Sequence, residues 1–339
     1  MGMAVTIREL AQRCGLSVSA ISKALNDYPD ISEQTREYVR KMAREMGYFP
    51  NAQARALKTN RSHNIGVVYE LMGQDGLMHT FFAQLLDGFK REIERAGYDL
   101  TFLHRHIGSA PVSILDHYRY RGMDGALLAC VNFRDAEVIR FLESGVPCVT
   151  IDHSVPGKCP SVMSDNRAGM SAVVRHVVEK GHRRIGMIYG DRSGVAWERI
   201  TGFRETMREL RIEVRERYVE EALYHNPDAN FKAIERIMAR REPPTCILTT
   251  DDYSAIGVMN GLREMGLSVG RDISITGYDG IEIGQIIRPR LTTYRQDARF
   301  IGEQAARLLV QQIQRSGMPA PEPVFVKGAL IEGETVAAI

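Results

Sequence analysis

TIRELAQRCGLSVSAISKALND, residues 6–27, is two short helical phrases separated by Cys14-Gly15-Leu16, and its reading sets the fold of everything before residue 50. Thr6 followed three residues later by Glu9 is a capping box, so a helix starts at Ile7 and carries the apolar stripe Ile7, Leu10, Ala11 and Cys14 until Gly15 breaks it. Ser17 is the N-cap of a second helix, in which Val18, Ile21 and Leu25 recur at helical spacing until Asn26, Asp27 and Pro29 end it. Two short helices across a tight glycine turn form a helix-turn-helix. The same pair also occurs in all-helical subdomains that never meet DNA, so the neighbouring sequence has to arbitrate.

Ser32 caps a third helix, EQTREYVRKMAREM, with Tyr38, Val39, Met42, Ala43 and Met46 as its inward stripe, and Gly47 stops it. Residues 1–64 hold 10 Lys plus Arg against 6 Asp plus Glu, whereas the remainder holds 34 against 36. The overall charge of +2 therefore hides a basic N-terminus on a slightly acidic body, a distribution suited to phosphate contact. In such a headpiece the exposed residues early in the second helix read base edges. Val18, Ser19, Ala20 and Lys23 hold that position, Lys23 toward guanine O6 and N7 and Val18 toward a thymine methyl. Thr6, Ser17, Ser22 and Asn26 complete the candidate DNA contacts of the headpiece.

The helix phrases, the segment GYFPNAQARAL and the following NIGVV occur in an order and spacing that resemble the lactose/galactose repressor (LacI/GalR) family of transcription regulators, and the resemblance runs essentially to the C-terminus. It departs at AISK, where the family commonly has a Thr-Val-Ser-Arg phrase, so the preferred bases do not carry over. A lysine lacks the planar fork with which arginine makes a bidentate contact.

PNAQARALKTN, residues 50–60, has helix-forming composition, but about seven residues are too few to hold a helix alone in water. Read by itself it is a linker. The resemblance implies instead a hinge helix that orders on the operator and inserts Leu57 as a wedge in the minor groove. Arg55 and Lys58 would then lie beside phosphates, with Asn51 and Ala54 on the same element.

From His63 the chain alternates apolar strands (NIGVVY, DLTFLH, DGALLAC, PCVTID, SVMSD, RRIGMIYG, TCILTT, DISITGYD, LTTYRQ) with amphipathic helices near 80–96, 134–144, 166–180, 195–210, 228–240, 251–265 and 297–315. This is the pattern of parallel sheets covered on both faces. About 275 residues exceed one comfortable core, so two α/β subdomains are expected. The resemblance implies a two-lobed core like a type I periplasmic binding protein, with three crossings between lobes. The expected division is a headpiece at 1–49, a hinge at 50–62 and an effector-binding and dimerisation domain at 63–339. Its lobes are expected at 63–160 plus 291–320 and at 161–290 plus 321–339.

Absent motifs narrow the chemistry. The five cysteines, Cys14, Cys130, Cys148, Cys159 and Cys246, include no CxxC, and His176 and His182 lack the cysteine pair of a zinc finger. No dinucleotide, phosphate-loop or GxSxG signature occurs, so neither a cofactor, a metal nor a catalytic set is expected. The sequence shows neither an apolar signal region nor a membrane-spanning run, which implies a cytoplasmic protein without membrane contact.

Ligands of open α/β sheets bind at strand ends. Arg199 follows the loop after RRIGMIYG, with Trp197, the chain's one tryptophan, beside it, and Asp279 directly follows a buried strand. By resemblance, Arg199 and Asp279 hydrogen-bond the effector, Asp251 is a polar contact, and Phe81, Phe82 and Tyr224 form apolar walls. His153, just past CVTID, is a further candidate. Asp251 and Asp252 are adjacent, so on a helix they diverge and suit capping or hydroxyl acceptance better than acid–base work. An arginine, carboxylates and aromatic faces suit a sugar or polyol, with a nucleobase or a phosphorylated sugar as the other effector classes such a set admits. The expected protein is a homodimeric repressor on double-stranded operator DNA, controlled by a small sugar-like effector. The alternatives are a free-standing sugar-binding component and an α/β enzyme with a helical extension.

Overall fold

The computed structural model describes residues 5–49, 61–70, 76–190, 193–224, 226–315 and 321–339. Contacts divide the chain into two units, Met1–His63 and Asn64–Ile339. In the first, α1 (Ile7–Cys14), α2 (Val18–Leu25) and α3 (Glu33–Met46) start at Thr6, Ser17 and Ser32, each of whose side chains accepts a backbone N–H of the first turn. The Thr6–Glu9 box closes reciprocally, with Thr6 N–H donating to the Glu9 carboxylate at 2.7 Å. Gly15 and Gly47 take left-handed φ of 67° at the C-termini of α1 and α3, a conformation that costs glycine nothing. Leu10, Ala11, Ile21, Ala24, Val39 and Ala43 form the buried centre. Tyr38, expected inward, stands exposed: it precedes Val39 by one residue, about 100° around the helix, and Val39 takes the core position.

The second unit contains β1 (Asn64–Tyr69), β2 (Asp99–Leu103), the two-residue strands β3 (His106–Ile107) and β4 (Ala110–Pro111), β5 (Gly125–Ala129), β6 (Cys148–Ile151), β7 (Ser161–Ser164), β8 (Ile185–Tyr189), β9 (Val219–Glu221), β10 (Cys246–Thr249), β11 (Ser274–Asp279), β12 (Thr292–Arg295), β13 (Val324–Val326) and β14 (Ala329–Ile331). The helices are α4 (Thr80–Arg95), α5 (Ile114–Arg121), α6 (Ala136–Glu143), α7 (Asn166–Glu179), α8 (Gly194–Glu209), α9 (Pro227–Met238), α10 (Asp252–Glu264), α11 (Glu282–Ile286) and α12 (Ala298–Gln314).

Two six-stranded sheets result, ordered β13-β7-β6-β5-β1-β2 and β14-β12-β11-β10-β8-β9, with β14 antiparallel and the other pairs parallel. Each sheet has an apolar cluster on each face, which accounts for the continuous apolar strands. In the first lobe α4 and α12 pack so closely that a Cβ on Gly88 would stand 2.1 Å from the Arg299 carbonyl oxygen.

The lobe boundaries differ from those expected. Ser161–Ser164, placed by sequence in the second lobe, pairs with β6 in the first, and Val324–Val326 returns to pair with β7. Thr292–Arg295, placed in the first lobe, pairs with β11 in the second. Alternation marks a strand but not the sheet that will hold it, because that choice lies with whichever edge offers unpaired backbone groups. The chain therefore crosses between lobes after Ser164, after Arg295 and between Val326 and Ala329.

Candidate functional site

In the first unit, α2 seats Ile21 and Ala24 in the core and turns Val18 and Ser19 outward, with Ala20 partly exposed. Thr6 and Ser17 are occupied as caps, and Asn26 bends back so that its amide donates to the Ser22 carbonyl at 2.7 Å. Lys23 is ion-paired with Asp30, and Arg40 with Asp27. The hydrogen bond from Lys23 holds the Asp30 carboxyl below its ordinary range. These pairs are exposed, and exposed pairs are weakly held and screened by salt. Asn51, Ala54, Arg55, Leu57 and Lys58 lie outside the described residues.

In the second unit the carboxyl ends of the strands gather a buried polar cluster around Arg199, on the second turn of α8. Its Nε donates to Asn166 Oδ1 at 2.8 Å, its Nη1 to the Thr250 carbonyl, and its Nη2 approaches Asp279 Oδ1 at 3.4 Å. The guanidinium also lies 3.9 Å from the centroid of the Tyr278 ring. Only 4% of the Arg199 side chain is exposed, and 11% of Asp279. Burial works against the charge on Arg199, but Asp279, Tyr224, Tyr278 and Asp152 more than offset it and hold the guanidinium above its ordinary pKa.

Two carboxylates occupy equivalent places, each just past or at the end of a strand and each with positive φ: 97° at Asp279 and 51° at Asp152. That conformation is uncommon for a residue with a Cβ and turns the chain sharply at the end of β6 and at the end of β11. Asp152 accepts the Ser164 N–H at 2.8 Å. Burial pushes its pKa up to about 6, against the pull of that N–H and of Arg199. Gln296, at the second crossover, donates to Asp279 Oδ1 at 2.6 Å.

Asp251 caps α10, accepting the Ser254 N–H at 2.7 Å. Asp252 accepts the Thr293 hydroxyl at 2.6 Å and the Ile281 N–H at 2.7 Å, which braces the loop after Asp279. Burial and the neighbouring Asp279 raise the Asp252 pKa well above its ordinary range. The Tyr224 ring packs over Gly190, where a Cβ would stand 2.1 Å from it, and burial raises its phenol to about 12. Across the lobes, Thr80 at the start of α4 shares a 3.2 Å hydrogen bond with Tyr253 at the start of α10.

Of the residues singled out by sequence, Arg199 and Asp279 touch, and Tyr224 and Asp251 interact electrostatically with the same cluster. His153 is half-buried and stacked on Phe133 at 3.9 Å, and burial lowers its pKa. Phe81 is half-buried against the first lobe's core. Phe82 is fully buried in that core, stacked on Tyr69 at 3.7 Å, and presents no surface to a ligand; of two adjacent helical aromatics, packing selected this one. Trp197 is 65% exposed, because two residues along α8 place it about 200° from Arg199.

Sequence reading missed Asp152, Asn166, Thr250 and Gln296. The strand-end rule that found Asp279 would have found Asp152 at the end of CVTID. Asn166 and Gln296 lie at crossovers and carried no comparable signal. His182 has a structural task, with its ring nitrogens 2.9 Å from the Thr245 hydroxyl and 3.0 Å from the Ala337 carbonyl. Among the described residues, no group of three His, Cys, Asp or Glu side chains could hold a metal ion, and no helix is long and apolar enough to cross a membrane.

Comparison with known proteins agrees with both halves. Residues 6–51 match the bacterial regulatory proteins of the lacI family, and residues 174–336 match a periplasmic binding protein-like domain. The HTH-type transcriptional repressor PurR of Pectobacterium carotovorum subsp. carotovorum (strain PC1) is 30% identical over 341 residues, covering 98% of this chain and 97% of that protein. The probable HTH-type transcriptional repressor ExuR of Bacillus subtilis (strain 168) is 28% identical over 312 residues, covering 91% and 92%. The solved structure of the lac repressor dimer bound to operator and the anti-inducer ONPF superposes with a TM-score of 0.84 at 25% identity, over 99% of this chain and 100% of that one. With its capped helix-turn-helix headpiece and two-lobed α/β core, the chain belongs to the lacI family of bacterial regulatory proteins, as a ligand-responsive transcriptional repressor.

Proposed function

We propose that this repressor binds a pseudo-palindromic operator as a homodimer, in the cytoplasm where the DNA is, and that a neutral hydroxyl-rich effector, a sugar or polyol, releases it. The observation that carries the DNA half is the division of α2 into a seated face, Ile21 and Ala24, and a free N-terminal face, Val18 and Ser19. Base edges in a major groove are read by that part of a recognition helix. Arg55, Leu57 and Lys58 of the hinge add minor-groove and phosphate contacts in this reading.

The charge balance around Arg199 supports the effector class. One guanidinium, with three of its N–H groups engaged, stands among Asp152, Asp251 and Asp279. An anionic ligand would meet an excess of carboxylate. Hydroxyls instead donate to the carboxylates and accept from the guanidinium, while Tyr224 offers a ring to a sugar's CH face. No step in this function is catalytic. The effector acts by preferring one arrangement of the lobes, and shifting 1:99 to 99:1 takes about 5.5 kcal/mol of differential affinity.

Fluorescence anisotropy on palindromic and scrambled duplexes, across salt and with candidate sugars, tests the reading. A dimer neutralising about eight phosphates gives a log–log salt slope near –7. An affinity indifferent to salt would remove DNA binding, and an operator affinity unmoved by any saturating sugar or polyol would remove the effector class.

A further inference from the structure

Away from the Arg199 cluster, the first lobe brings two of the five cysteines together. Thr150 of β6 pairs with Ser161 of β7 in parallel register, and the Thr150 N–H donates to the Pro160 carbonyl at 3.1 Å. Cys148 lies two residues before Thr150 and Cys159 two before Ser161, so the two side chains leave the same face of neighbouring backbones. Both enter the apolar cluster on that face, whereas Val149, Ile151 and Val162, the alternate residues, enter the cluster on the other. Cys159 Sγ lies 4.0 Å from Thr150 Oγ1, and the two thiols hydrogen-bond each other beside it. Neighbouring strands run about 4.8 Å apart, inside the range of about 4.4 to 6.8 Å between Cα atoms that a disulfide spans.

The pair is asymmetric. The Cys148 S–H donates to Cys159, and that bond together with burial holds the Cys148 thiol well above its ordinary pKa. The same bond, received, holds Cys159 below its own, against the effect of burial. The thiolate is the nucleophile, so Cys159 reacts first and the protonated Cys148 stands ready as its neighbour. Both residues are buried, but Cys159 closes a short turn from Val155 whose tip, Pro156, Gly157 and Lys158, is exposed, with Gly157 at φ 72°. An exposed turn opens locally at less cost than the core behind it, and hydrogen peroxide is little larger than water.

We propose that Cys148 and Cys159 form an oxidation site, at which a peroxide converts the two thiols reversibly into a disulfide. The Cys159 thiolate attacks one peroxide oxygen and the O–O bond breaks, leaving a sulfenic acid on Cys159 and hydroxide, which takes up the proton that the thiol had lost. The Cys148 sulfur then attacks the sulfenic sulfur, the S–O bond breaks, and the leaving oxygen departs as water with the Cys148 proton. Two thiols lose two electrons and two protons, and one hydrogen peroxide becomes two waters.

The test treats the folded full chain with hydrogen peroxide, blocks the remaining thiols with iodoacetamide in denaturant, and reads tryptic peptides by mass spectrometry. Lys158 separates the two cysteines, so trypsin leaves them on different peptides. The expected first product is one disulfide joining those peptides, reversed by dithiothreitol, with Cys14, Cys130 and Cys246 still alkylated. In Cys148→Ala, Cys159 is expected to accumulate as a sulfenic acid that dimedone traps, and in Cys159→Ala, Cys148 is expected to stay reduced. Because the thiols already lie side by side, the oxidised protein is expected to unfold about 5 °C higher than the reduced one.

Free thiols at both positions after the other three cysteines have been oxidised, or a disulfide that joins any other pair, overturns the site. These outcomes are read on the unsubstituted chain and do not depend on whether either variant folds. Dimedone on Cys148 of Cys159→Ala, with none on Cys159 of Cys148→Ala, overturns the assignment of Cys159 as the reacting thiol. An oxidised protein that unfolds below the reduced one overturns the claim that the fold holds the pair ready to bond.

Discussion

The headpiece and the Arg199 cluster, the two proposed binding faces, both carry charged groups, and they are built in opposite ways. In the headpiece, the residues from Thr6 to Asp30 are contiguous, helix caps set their geometry, and the ion pairs Lys23–Asp30 and Arg40–Asp27 are exposed. In the cluster, Arg199 meets Asn166 across 33 residues of sequence, Thr250 across 51 and Asp279 across 80, and its guanidinium is buried. Exposed pairs are screened and exchange readily for phosphates, whereas a buried pair holds its geometry because breaking it strands a charge. The comparison teaches that the proposed DNA face is adaptable by construction and the proposed effector face preorganised.

The largest effect that sharpens this contrast is expected from Arg199→Ala. Removing the guanidinium leaves Asp279 and Asp152 facing each other in a buried site, so chemical denaturation should show a loss of about 3 kcal/mol. Operator binding should persist below the transition while the effector response is lost. A variant as stable as wild type and still responsive would show that the cluster is not the preorganised site described. Next comes Leu57→Ala, in the segment expected to order on the operator. It should weaken specific binding by about 2 kcal/mol in anisotropy titrations and spare nonspecific binding. Equal operator affinities would make the segment a plain linker.

Asp152 supplies an effect of intermediate size through pH. Burial pushes its carboxyl up to about 6, so above that value it is ionised and, in the proposed effector site, an acceptor for a ligand hydroxyl, and below it takes up a proton and loses acceptor capacity. Effector affinity should therefore fall as pH drops through 6, by up to about tenfold per unit, and Asp152→Asn should flatten the profile. An unchanged slope in the variant would assign the titration elsewhere.

The smallest effect belongs to the headpiece. Asp30→Asn frees Lys23 and removes a negative charge near the phosphates, so nonspecific affinity should rise about two- to threefold and the salt slope should steepen by about one. No change in either would mean that Lys23 does not meet DNA.

The same contrast separates what was legible in the sequence. Capping signals at Thr6, Ser17 and Ser32 and the stops at Gly15 and Gly47 act within four or five residues, so the three headpiece helices could be read one by one. Strands with continuous apolar runs were equally legible, because parallel sheets bury both faces. Short, mostly polar elements were not: α5, with His117 and Tyr118 inward, and β9, Val219–Glu221, lack a clean period. Arg199 and Asp279 stood out because strand-end loops are where such sheets bind ligands, but their partners did not.

Sequence by itself therefore determined the apolar strands, the amphipathic helices and the basic, capped headpiece, since those depend on neighbours along the chain. Only the tertiary structure decided which sheet receives β7, β12 and β13, which of Phe81 and Phe82 becomes core, and that Asp152, Asn166 and Gln296 close around Arg199. Those choices depend on which unpaired edge, cavity or charge lies nearby once distant segments have packed, and spacing along the chain carries no record of that.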